Sequence, residues 1–121
     1  MSTNTKSDPV RCRMFAMLAF KNTPVERQKE IMKQPIKPNE DGSKDAFLHG
    51  FSPYDALILN DSKIVYDSEG TGHGLLVKAT FPKQIGVRTN KDESVTPLNT
   101  LNILISVEDG EPPYVKDLKP C

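Results

Sequence analysis

The 121-residue chain is 36% apolar and 26% charged, contains no tryptophan, and balances 16 basic against 16 acidic side chains for a formal net charge of zero. That length supports one domain burying about two-thirds of its unfolded surface, and the apolar content is above that of a disordered polymer. The longest apolar run, residues 14–20, is well short of a membrane span.

In chain order, residues 1–9 are polar and without periodicity, and are read as an N-terminal arm. Val10, Cys12 and Met14 then alternate with Arg11 and Arg13 before the pattern turns apolar on both faces through Phe20. This predicts a strand that enters a sheet from its edge and ends in the core, with Leu18 among the core residues. Thr23-Pro24-Val25-Glu26 predicts a helix start, with Thr23 as N-cap and Pro24 at the first helical position, running to about Gln34. Residues 35–45 hold two prolines and a glycine and are read as a surface loop. Residues 56–59 and 63–66 flank Asn60-Asp61-Ser62 as a hairpin. Residues 75–81 and 84–89 are predicted strands, the second with a bulge at Gly86. Residues 90–97 are turn-rich, and 98–107 form a strand with Leu101, Ile103 and Ile105 on one face. Residues 110–121 carry three prolines and no pattern, so they are read as an extended C-terminal arm.

No internal repeat is visible. The order implies a single α+β domain over residues 10–109, with a mainly antiparallel sheet or partly open barrel of five to six strands. One short helix follows the first strand, and an arm extends from each end.

The segment Ser68-Glu69-Gly70-Thr71-Gly72-His73-Gly74 holds three of the seven glycines and one of the two histidines. Freed backbone amides and a protonatable ring make Gly70, Thr71, Gly72, His73 and Gly74 a candidate anion or small-ligand site, although the same glycines serve a plain strand connection. No lysine and hydroxyl residue follow as in a phosphate-binding loop, and the glycines open a strand rather than a helix. No catalytic set is assigned: His49 and Ser52 have no orienting acid beside them. No metal or cofactor is expected either, because two isolated histidines and two cysteines at opposite ends lack ligand spacing.

A second constellation is basic and aromatic. Lys63, Lys78, Lys83 and Arg88 with Tyr66 and Phe81 lie on or beside predicted strands, the composition of a single-stranded nucleic-acid surface. Edge protection and solubility explain such lysines equally well.

Charge is also unevenly placed. Residues 1–39 carry eight basic against three acidic side chains, and residues 40–121 carry eight against thirteen. A dipolar chain with polar ends suits association with copies of itself. The expected function is a non-enzymatic assembly module, homo-oligomeric through its terminal arms and sheet edges, acting as a structural or accessory protein of a particle. Nucleic-acid binding is the alternative, and a small enzyme or anion binder centred on residues 68–74 the third. The expected location is cytoplasmic or particle-associated, since residues 14–20 lack a small-residue cleavage site and no membrane segment is seen.

Overall fold

The computed structural model describes residues 9–59, 64–71, 74–107 and 110–121. The fold is α+β: two open antiparallel sheets carry three helices. The helices are α1 (Pro9–Lys21), α2 (Val25–Lys33) and α3 (Pro53–Leu59). The strands are β1 (Lys44–Phe47), β2 (Val65–Thr71), β3 (Gly74–Thr80), β4 (Gly86–Thr89), β5 (Val95–Leu98), β6 (Thr100–Ser106) and β7 (Tyr114–Pro120). The larger sheet has the order β2-β3-β6-β7 and the smaller β1-β4-β5.

Consecutive strands join the two sheets, β3 running on into β4 and β5 into β6. β3 pairs with β6 down to Thr80 opposite Thr100, and β4 pairs with β5 starting at Gly86 opposite Leu98. Residues 81–85 therefore stand opposite the single Asn99. This bight is tied at both ends, by the Phe81 N–H to Asn99 carbonyl bond at 2.8 Å and the Ile85 N–H to Leu98 carbonyl bond at 2.8 Å.

The inner face of the larger sheet is the core. Val77 and Ala79 on β3, Leu101, Ile103 and Ile105 on β6, and Val115 and Leu118 on β7 are all buried. Cys12, Ala16, Ala19 and Phe20 of α1, Ile31 of α2 and Leu57 of α3 complete the same cluster. Period-two alternation on β6 selects that face, as its sequence predicts.

Several expected elements differ. Residues 10–20 are helix rather than strand: Arg, Met, Ala and Leu dominate the run and favour helix, which outweighs the short alternation at its start. Leu18 is accordingly 46% exposed and outside the core. The helix at Val25–Lys33 lies where expected, but Pro24 occupies its cap position and no side chain caps it. Thr23 instead donates to the Ala19 carbonyl at 2.7 Å and accepts the Val115 N–H at 2.9 Å, stapling the end of α1 to β7. Gln28, buried, covers two further carbonyls, those of Phe20 and Thr23.

Residues 56–59 belong to α3, not to a hairpin strand. Ser52 accepts the Asp55 N–H at 3.4 Å and Pro53 opens the first turn, the start signal of a helix. The expected turn at residues 60–62 lies outside the described residues. β1 begins inside the expected loop 35–45, and β5 inside the expected turn region 90–97. Gly86 marks no bulge: a Cβ there would stand 2.7 Å from Pro120 Cβ and 2.8 Å from the Ala46 carbonyl, so glycine lets β7 cross the smaller sheet closely. The expected C-terminal arm is β7, paired along β6 with a bulge at the Leu104/Ile105 step. Among the described residues, seven strands in two sheets thus replace five to six in one, and three helices replace one. Of the expected N-terminal arm, residues 1–8 lie outside the described residues and Pro9 begins α1.

Candidate interaction surface

The described residues of the glycine-rich segment lie on two paired strands. Gly70 pairs with Leu75 and Thr71 with Gly74, so Gly70 and Thr71 stand in β2 and Gly74 in β3. Gly72 and His73 lie outside the described residues. Gly74 has a packing reason of its own, since the Ile105 carbonyl occupies the place a Cβ would take.

The basic and aromatic set does not converge. Tyr66 and Phe81 are buried, and Phe81 meets Phe51 edge-on at 5.7 Å inside an aromatic trio with Phe47. Lys78 reaches Glu69 at 3.5 Å on the exposed outer face. Lys83 is exposed on the bight, and Lys63 lies outside the described residues.

Arg88 is committed elsewhere. It donates to both carboxylate oxygens of Asp45, at 2.7 and 3.0 Å, and the Asp45 side chain is 1% exposed. That bidentate bond holds the Asp45 carboxyl below its ordinary pKa and raises that of Arg88. Two turns of one design flank the pair. In each, an Asn N–H bonds the carbonyl of a Ser four residues on, the Asn amide donates to that Ser hydroxyl, and the Ser N–H and hydroxyl both bond the intervening Asp. Asn39, Asp41 and Ser43 make one set; Asn90, Asp92 and Ser94 make the other. The Ser43 and Ser94 bonds hold the Asp41 and Asp92 carboxyls below their ordinary pKa. The turns share only an N-x-D-x-S pattern, a repeat too short to stand out from composition. Among the described residues, no group of three or more His, Cys, Asp or Glu is placed to share a metal ion.

The surface that stands out is the outer side of α1. Its inner side is small, with Cys12, Ala16 and Ala19 lying close on the sheet beside Phe20. Val10, Met14 and Leu18 follow one another at a spacing of four, one row about 12 Å long. They are 61, 63 and 46% exposed, with Phe15 at 36% beside them. Arg11 and Lys21 are exposed on the same helix, which carries no acidic residue. The row was hidden in the sequence by being read as strand core; helix propensity over residues 10–20 is the signal that exposes it. Among the described residues, no helix is long and apolar enough to cross a membrane. Comparison with known family models, curated proteins and solved structures finds no match.

Proposed function

We propose that the protein is a non-enzymatic interaction module that assembles with copies of itself, in the manner of structural or accessory proteins of particles. The observation that carries this reading is the row Val10, Met14 and Leu18, with Phe15, turned outward on a helix whose opposite side is already buried. A contiguous apolar strip on a small domain favours association, because covering it removes apolar area from water at about 25 cal/mol per Å².

The row is nearly symmetric about Met14. A second α1 laid antiparallel on the first sets Val10 against Leu18 at both ends and Met14 against Met14 in the middle, a two-fold contact. In this arrangement Arg11 of each copy lies about 6 Å along the axis from Lys21 of the other, and residues 40–121, with thirteen acidic side chains, carry the carboxylates available to offset that repulsion.

Sedimentation velocity over a wide concentration range tests this. The wild-type protein is expected to associate, and Met14→Glu combined with Leu18→Glu to remain monomeric with an unchanged far-UV spectrum, since neither side chain is in the core. A wild-type protein that stays monomeric at high micromolar concentration would refute the reading.

A further inference from the structure

The described methionines differ in setting. Met32 packs against the core and Met17 is half-buried on α1, while Met14 is 63% exposed at the middle of the outer row. A thioether is apolar enough to bury, yet its sulfur lone pairs react with a peroxide. The O–O bond breaks, an S=O bond forms, the sulfur gives up two electrons and water leaves. The side chain becomes polar, a hydrogen-bond acceptor with no donor of its own.

What the new oxygen meets in the α1 contact follows from its neighbours. Val10, Phe15 and Leu18 have no N–H or O–H on their side chains, and the backbone N–H groups of Met14, Phe15 and Leu18 are spent inside the helix. Arg11, a turn away, reaches the oxygen only by drawing its charge into the apolar contact. Laid antiparallel, each Met14 faces its own copy, so oxidation sets two acceptors against each other where no donor is at hand. In the separated chains water supplies the missing donors.

We propose that Met14 is a site of reversible oxidation by peroxide that controls self-association: as the thioether it lets two copies meet, and as the sulfoxide it holds them apart. This rests on the α1 contact proposed above. Pairing covers the sulfur, so the reaction belongs to the free chain and traps it there rather than breaking an assembled pair. Two thiols reverse the step, taking the oxygen off as water and leaving as a disulfide, the chemistry of methionine sulfoxide reductases.

The test treats the full chain with hydrogen peroxide, reads oxidation at each methionine by peptide mass spectrometry and follows association by sedimentation velocity. Met14 is expected to gain one oxygen ahead of Met17 and Met32, and the dissociation constant to rise at least about tenfold. Methionine sulfoxide reductases with dithiothreitol should restore it. The oxidation rate at Met14 should fall as protein concentration is raised through the association range, and that at Met32 should not. Met17→Leu combined with Met32→Leu, both close in volume, should keep the response to peroxide. Met14→Leu, whatever its own strength of association, should not weaken further under peroxide. Association unchanged once Met14 is oxidised, or a response lost with Met17 and Met32, overturns this inference alone and leaves self-association standing. A chain that is monomeric before any oxidation overturns the α1 reading and this one with it.

Discussion

Gly42 and Glu93 occupy the same place in the two N-x-D-x-S turns, and both have positive φ, 88° and 72°. For glycine that conformation is free; for a residue with a Cβ it costs about 1–2 kcal/mol. A side chain at Gly42 would meet only the flexible Lys91 stem, at 3.6 Å, so the difference between the turns lies in backbone strain rather than space. Glu93→Gly is expected to raise stability by about 0.5–1 kcal/mol, the relief of strain being reduced by glycine's greater freedom in the unfolded chain. Gly42→Ala should lower it by about 1 kcal/mol. Urea unfolding midpoints at constant m-value measure both, and a fall in the Glu93→Gly midpoint would contradict the assignment. Thr23 teaches a related point. Its position before a proline has the chemistry of a cap, yet the hydroxyl reaches β7, a contact 92 residues along the chain that no local pattern carries.

At the scale of elements, β7 separates a free tail from a structural strand. Leu118→Ala is expected to cost about 2–5 kcal/mol, and removal of residues 110–121 to abolish cooperative unfolding, because Val115, Leu118 and Pro120 cover one side of β6. A truncated protein that melts sharply would show the core to be independent of this strand. Two physical causes hid β7 in the sequence. The bulge sets Val115 and Leu118 three apart instead of two, which breaks the period expected of a strand. Prolines also reach edge strands at no loss: Pro97 lies on β5 and Pro120 on β7, each at the border of its sheet. The strands β3 and β6 were legible because their inner faces alternate without interruption, and α2 because Pro24, Lys33 and Pro35 mark its ends locally, although the expected Thr23 cap is not made. α1 was misread because residues 15–20 are apolar on both faces. Its outer row became visible only with the tertiary arrangement, since it depends on which side of the helix is already covered.

For the molecule as a whole, the carboxylates held below their ordinary pKa among the described residues, Asp41, Asp45 and Asp92, belong to the smaller sheet or its turns. A depressed folded-state pKa contributes stability that is complete above the unfolded value of about 4 and is lost as pH falls through the lowered one. Acid should therefore loosen the smaller sheet before the larger one. Hydrogen exchange below about pH 4 is expected to show β1 and β4 losing protection while Val77 and Ile103 keep theirs. Asp45→Asn should flatten that pH dependence, and simultaneous loss in both sheets would contradict this order. The bight at residues 81–85 has a different kind of consequence. Because it stands outside both ladders, lengthening it at the exposed residues 82–84 alters neither register, and the single Asn99 opposite keeps the two sheets at their present spacing. It is the place in the ribbon joining the sheets where an insertion would be absorbed as a longer surface loop, whereas one residue more at the 90–94 turn would slip every pair in β4 and β5.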